Sequence, residues 1–385
     1  MLIFDPTLGN VAAPAATRAS WIGAPEIIAA AITAAFTLIM FVLKDLALKR
    51  IEESRADRRA EIAIYERYSN PLVTAAISLL YRLNEILYKE HRPIYLQKRA
   101  SLVSREGLHK SYLHYKRLST VYRLASVLGW IRACRREYSY LRVAEPVKAQ
   151  EVDKAIHSFE IALADGPWVE QERVIRLCEL WQLDSRPLRA NDGLELLGVK
   201  VNNLLWDVLE ESDCAKEEAT NVSDEVKRRL CRSTAECVTT FLSTNAVSEA
   251  SIDRTWPDAF NIITMREAWL YRDWQSAIGD VMTRKSELGA RNFEVIGYGD
   301  FEQFGSSEGQ EQKRALHRLL AVFDGLDLSI QDRFDARPRQ LRAVAKATAE
   351  LVLAVDRTQG KKSIVPKGTV RLAEAIISKV ASQST

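Results

Sequence analysis

The chain has 385 residues, with 54 Lys and Arg against 51 Asp and Glu and a net charge of only +3. Its five cysteines (Cys134, Cys178, Cys214, Cys231, Cys237) are an odd number without C-x-x-C spacing, which suggests neither a disulfide framework nor a zinc site and suits reduced core thiols. The charge is unevenly spread: residues 44–150 carry 22 basic against 11 acidic side chains, and residues 151–385 carry 31 against 38.

Residues 1–20, with Pro6, Gly9, Pro14 and a row of alanines, lack periodicity and read as a loose external tail. From Ile27 to Leu43 there are 17 residues without a charge. At 1.5 Å per residue such a helix reaches about 26 Å, close to the hydrocarbon core of a bilayer. Trp21 and Ile22 extend the stretch at interface depth, and Pro25 with Glu26 suits a first turn, so residues 21–43 are expected to form a single transmembrane helix. Six basic side chains follow within residues 44–59, whereas Arg18 stands alone before the run. The positive-inside rule then places the N-terminus outside a bacterial inner membrane and the bulk of the chain in the cytoplasm, in contact with membrane lipid. A cleaved signal fits poorly, because the small-residue stretch AAPAATRAS precedes the apolar run.

Along this helix and at its ends Glu26, Ala30, Thr33, Thr37, Met40 and Lys44 follow near-heptad spacing and give one face small or polar residues. Lipid supplies no hydrophobic drive between helices, so such a face favours self-association, and in a closed ring Thr33 and Thr37 would line a pore. Residues 44–68 read as a charged stalk helix continuing into the cytoplasm.

Ser69-Asn70-Pro71 predicts a stop and a restart, with Asn70 as cap and Pro71 at the first position of a new helix. Apolar residues then recur at Leu72, Ala75, Ala76, Leu79, Leu80, Leu83, Ile86 and Leu87. A second long helix is predicted over residues 110–141, with Gly129 permitting the close approach of another element. Further helices are predicted at 150–164, 168–182, 194–211, 222–243, 257–286, 309–323, 338–357 and 368–381, with a sub-boundary near 183–193. The best strand signal is FEVIG, Phe293 to Gly297, too isolated to make a sheet by itself. The expected class is all-α: a transmembrane helix, a stalk, and a multi-helix cytoplasmic domain over residues 69–385.

No H-E-x-x-H, G-x-S-x-G or Walker A motif is present, so no reaction, metal or cofactor is implied. Two stretches draw attention as ligand sites. In WIRACRREYSY, Arg132 and Arg136 stand one turn apart beside Arg135, with aromatics interleaved: this cluster either holds a phosphate or pairs with neighbouring carboxylates. In REAWLYRDWQSAIGDVM, Arg272, Gln275, Ser276 and Gly279 recur along one face, either as a buried polar seam that fixes helix register or as a ligand pocket.

The segments YSNPLVTAAISLLYRLNEIL, YKRLSTVYRLASVLGWIRACRREYSYL and YRDWQSAIGDVM resemble a bacterial protein family in which one N-terminal membrane helix precedes a helical cytoplasmic body. That resemblance brings no catalytic residues. In outline the layout is also similar to membrane effectors of antiphage defence, such as the channel-forming Hailong effector, and this implies a homo-oligomer opened by a nucleotide or oligonucleotide signal. The other reading is a non-conducting inner-membrane scaffold that binds a partner protein and has no enzymatic activity.

Overall fold

The computed structural model describes residues 24–88, 96, 110–141, 147–164, 166–189, 192–212, 222–286, 291–328 and 333–382, with only a minority of the side chains between 24 and 66. Its elements in chain order are α1 (Ala24–Tyr88), α2 (Lys110–Leu141), α3 (Val147–Ala164), α4 (Pro167–Leu180), α5 (Gly193–Glu211), α6 (Asp224–Leu242), α7 (Glu249–Ile263), α8 (Arg272–Met282), β1 (Thr283–Lys285), β2 (Phe293–Val295), α9 (Tyr298–Glu302), α10 (Gln310–Ala321), α11 (Arg337–Gln359) and α12 (Lys367–Ser382). The class is all-α with one small hairpin. The chain divides into two units, residues 1–60 and 61–385.

In the first unit α1 presents several large apolar side chains to solvent, among them Phe36, Met40, Phe41, Leu43 and Leu46. Among the described residues no helix is long and apolar enough to cross a membrane. Of the run 27–43, however, only the side chains of Ala29, Phe36, Met40, Phe41 and Leu43 belong to the described set, so the predicted transmembrane segment lies mostly outside it.

The described residues of the second unit form two main apolar cores and two small satellite clusters. The larger core joins the C-terminal part of α1 to α2, α3, α8, α10, α11 and α12. Leu72, Ala76, Leu79, Leu80, Leu83 and Ile86 pack there with Leu118, Leu124, Phe159, Val344, Leu351 and Ile376. Each such side chain withdrawn from water contributes about 1.5–3 kcal/mol, which is why the stripe over residues 72–87 settles as a buried helix face. The smaller core is made by α4 to α7, where Val174, Leu177, Trp181, Leu197, Val201, Leu230, Val238, Phe260 and Ile263 meet. Residues on both sides of 183–193 contribute to it.

Two sequence expectations need correction. The predicted restart at Ser69-Asn70-Pro71 does not occur: α1 runs unbroken from Ala24 to Tyr88 with Pro71 inside it. A proline has no N–H and leaves the carbonyl four residues back without its helical donor, at a usual cost of about 3 kcal/mol. Here the orphaned Arg67 carbonyl is taken by the Arg291 Nε at 3.1 Å. Tertiary contacts thus supply what the helix itself lacks, and they hold the segment helical.

The predicted helix 257–286 is also wrong. The chain forms α7, which starts at Glu249 behind a Ser248 cap on the Ser251 N–H, then leaves the helix at Thr264 and re-enters at Arg272. Between them Arg266 bridges Asp335, with the Arg266 N–H on the Phe334 carbonyl at 2.8 Å and the Ala336 N–H on the Arg266 carbonyl at 2.8 Å. Met265, Trp269 and Leu270 are buried in this break. Its carbonyls are satisfied by side chains: from distant helices Arg173 donates to Met265 at 3.1 Å and Gln340 to Ala268 at 2.9 Å, and from the first turns of α8 Gln275 donates to Leu270 at 2.6 Å. Long-range packing therefore overrides local helix propensity here.

FEVIG does become a strand, and its partner comes from the end of the predicted helix. Thr283, Arg284 and Lys285 pair antiparallel with Val295, Glu294 and Phe293. Two strands are marginal alone. This pair leans on α2, where Gly129 leaves room: a Cβ there would lie 3.0 Å from Met282 Cβ and 3.0 Å from Val295 Cγ2.

Candidate functional site

The chemistry-bearing residues of the second unit gather where α1, α2, α8 and the hairpin meet. The crossing of α2 and α8 is set by glycine, since a Cβ on Gly279 would fall 2.6 Å from Arg132 Cβ and 3.1 Å from the Leu128 carbonyl. That closeness brings the α2 arginines onto Asp280. Arg132 makes a two-armed pair with it, Nε to Oδ1 at 2.5 Å and Nη2 to Oδ2 at 3.1 Å. Arg136 reaches the same carboxylate at 2.7 Å, donates to Thr283 Oγ1 at 3.1 Å, and lies over the Phe293 ring at 5.6 Å. Arg135 points elsewhere and pairs with the buried Glu160 carboxylate at 2.5 Å. All three arginines are thus engaged, and an incoming phosphate would have to compete with Asp280 or Glu160 for them.

Arg272 and Gln275 stand one turn apart on α8 with different roles. Arg272 is exposed and approaches His157 Nδ1 at 3.5 Å. Gln275 is buried, and its Nε2 spans the Glu160 carbonyl at 2.9 Å and the Leu270 carbonyl at 2.6 Å. Among the described residues its Oε1 has no hydrogen-bond partner, and neither does Oε1 of Gln340, whose amide bonds the Leu163 and Ala268 carbonyls. These two glutamines tie the end of α3 to the break before α8. Of the residues expected on the membrane-helix face, Glu26, Ala30, Thr33 and Thr37 fall within α1 but their side chains lie outside the described set, and Lys44 is exposed.

Next to the arginines lies a buried polar group that the sequence did not single out. Glu137 is 1% exposed, and its carboxylate accepts from the Tyr68 hydroxyl at 3.0 Å and from the Asn292 amide at 3.0 Å. The Phe293 N–H donates to the same Tyr68 oxygen at 3.2 Å. Burial above all pushes the Tyr68 hydroxyl up to about 12, with the neighbouring Glu137 adding to the rise. Three consecutive residues of the hairpin therefore grip the segment at residues 67–68: Arg291 on the Arg67 carbonyl, Asn292 through Glu137, and Phe293 on Tyr68.

Beside this grip runs an open groove of about 480 Å³, lined by Asn70, Pro71, Thr74, Ala75, Ser78, Ser126, Trp130 and Arg291. Arg291 lies over the Trp130 ring at 5.5 Å from its centroid. Ser78 Oγ accepts from Arg123 Nε at 3.1 Å. Pro71 inside an apolar helical stripe was the available signal, because it demands an outside donor. Which residue answers that demand depends on a contact across 224 positions, which no local pattern carries. Elsewhere the described thiols are uncommitted to chemistry: burial pushes Cys134 and Cys231 up to about 12 and Cys178 up to about 11. Among the described residues no cluster of three or more His, Cys, Asp or Glu can hold a metal ion. In comparison with known proteins, no family model, no curated protein and no solved structure matches this chain.

Proposed function

We propose that this chain is a membrane-anchored helical protein whose body, over residues 69–385, binds a ligand or partner and passes the change to a self-associating apolar helix, in the manner of a defence effector. The observation that carries the reading is the exposure of Phe36 (65%), Met40 (52%), Phe41 (65%), Leu43 (55%) and Leu46 (54%) on α1. Five large apolar side chains within eleven positions that find no cover among the described residues of their own chain call for an apolar medium outside it, either lipid or another copy. The uncharged run 27–43 and the six basic side chains of residues 44–59 supply the length and orientation that lipid would select.

The test is fractionation of the full-length protein. An anchored protein stays in the membrane pellet through alkaline carbonate, and a C-terminal tag is shielded from protease added outside intact spheroplasts. Recovery in the soluble fraction, or a tag cut from outside, defeats the reading. For the effector, expression should also depolarise the membrane, and Thr33→Trp should change that response.

A non-conducting scaffold is the second reading, favoured by the engagement of Arg132, Arg135 and Arg136 with carboxylates, which gives this helix a structural occupation. Removing residues 1–43 separates the two. A scaffold body keeps its partner, whereas an effector loses all action on the membrane.

A further inference from the structure

We propose that the groove beside Pro71 binds an organic anion of mononucleotide size, a flat ring carrying one phosphate. The groove volume of about 480 Å³ suits such a ligand. Pro71, Ala75 and Trp130 supply its apolar wall, and Ser78 supplies a hydroxyl, those of Thr74 and Ser126 being bonded to the Asn70 carbonyl at 2.8 Å and to Tyr122. Arg291 supplies the charge. Its Nε is committed to the Arg67 carbonyl and its Cζ lies 5.5 Å from the Trp130 ring centroid, so the guanidinium is held in place.

Its other N–H groups have no carboxylate partner among the described residues, in contrast to Arg132, Arg135, Arg136 and Arg284, each of which is ion-paired. A fixed guanidinium with an open edge is the group that takes a phosphate through two parallel hydrogen bonds. Ser78 already accepts from Arg123, which leaves its own proton for a second acceptor. The positive charge, the Ser78 hydroxyl and the apolar wall thus converge on one space, and the charge selects an anion. This inference names the ligand of the body and rests on the reading above for its consequence in the membrane, but not for the binding itself.

The test is calorimetric titration of the full-length protein in detergent micelles with adenosine 5′-monophosphate, phenyl phosphate, adenosine and inorganic phosphate. The two ring phosphates should bind, and adenosine and inorganic phosphate should bind at least about tenfold more weakly. Arg291→Gln should weaken ring-phosphate binding about 10- to 100-fold, as expected for a hydrogen-bonded charge of about 1.5–3 kcal/mol. Thr74→Phe fills the groove from its exposed wall and should abolish binding with the melting temperature unchanged. The proposal is overturned if neither ring phosphate binds at millimolar concentration, if inorganic phosphate binds as well as they do, or if either variant binds like the parent. Because binding is read in micelles, its failure is distinct from failure of the anchor, which fractionation alone decides.

Discussion

Gly279→Ala tests how tightly α2 and α8 are locked. The added methyl would sit 2.6 Å from Arg132 Cβ and 3.1 Å from the Leu128 carbonyl, and neither is the movable end of a side chain. Carbon atoms rest at about 3.5–4.0 Å, so the two helices must separate by roughly 1 Å. That displacement opens the two-armed bond between Arg132 and Asp280 and loosens Arg136 on the same carboxylate. Overpacking of this kind costs about 1–3 kcal/mol, and the lost ion-pair geometry adds to it. Replacing a helical glycine by alanine returns up to about 1 kcal/mol through propensity, so the net loss should be about 1–3 kcal/mol. Gly368→Ala is the control, since nothing lies within 4 Å of its added Cβ in the first turn of α12, and it should be neutral or stabilising by up to about 1 kcal/mol. Urea unfolding followed by far-ultraviolet circular dichroism reads both. If the two substitutions shift stability in the same direction, close approach at Gly279 does not fix this crossing.

Three more outcomes follow from the same contacts. Arg291→Ala should cost about 1–2 kcal/mol in the parent, and less than half of that when Pro71→Ala gives position 71 its own N–H for the Arg67 carbonyl; additive losses in the urea cycle would show that Arg291 does not answer the proline. Gln340→Leu removes the donor shared by the Leu163 and Ala268 carbonyls and should lower stability by about 2–3 kcal/mol by the same melts, whereas an unchanged midpoint would mean that other groups satisfy those carbonyls. The Cys178 thiol is held neutral by burial, up to about 11 against an ordinary 9.0. The unfolded chain therefore loses this proton first, so its contribution to stability is complete below pH 9 and fades as the pH rises toward 11. Cys178→Ala should flatten that part of the stability profile, and a parent profile level from pH 8 to 11 would count against it.

The parts of this fold legible in the sequence are those governed by a single helix face. The stripe from Leu72 to Leu87 and the span 110–141 depend on apolar spacing, and that spacing survives in the folded chain because burial follows it. The errors fall where a distant group changes the local balance. Pro71 reads as a boundary to anyone weighing the helix alone, and Arg291 removes the reason for the boundary. The break between α7 and α8 is hidden because Thr264–Tyr271 contains good helix formers, and it is Gln275, Gln340 and Arg173 that make its carbonyls tolerable when buried. The arginines of α2 were visible as a cluster, but their partners Asp280 and Glu160 were not, because pairing across 25 and 148 positions has no signature in spacing. Gly129 was legible as a point of close approach, but not the identity of the hairpin that approaches it.

The hairpin links these separate observations. β1 continues directly from α8, whose Asp280 holds Arg132 and Arg136, and β2 ends in the residues that pack on Gly129. Beside them, Arg291 and Phe293 deliver one side-chain donor and one backbone N–H to the stretch of α1 that Pro71 weakens, and the Asn292 amide donates to the α2 carboxylate of Glu137 that also accepts from Tyr68. A helix missing one bond bends more readily there than elsewhere, so the hairpin holds the point of α1 with the least resistance of its own. The groove opens at the same point, with Arg291 on one side and Thr74 and Ser78 of α1 on the other. A bound phosphate would take the open Nη edge of the same guanidinium whose Nε closes the Arg67 carbonyl, so the two contacts form together and each holds Arg291 in place for the other. In the Pro71→Ala chain, where the carbonyl has its own donor and the groove loses part of its apolar wall, ring-phosphate affinity should therefore fall below the parent value, and an unchanged or higher affinity would mean that groove and helix are not coupled.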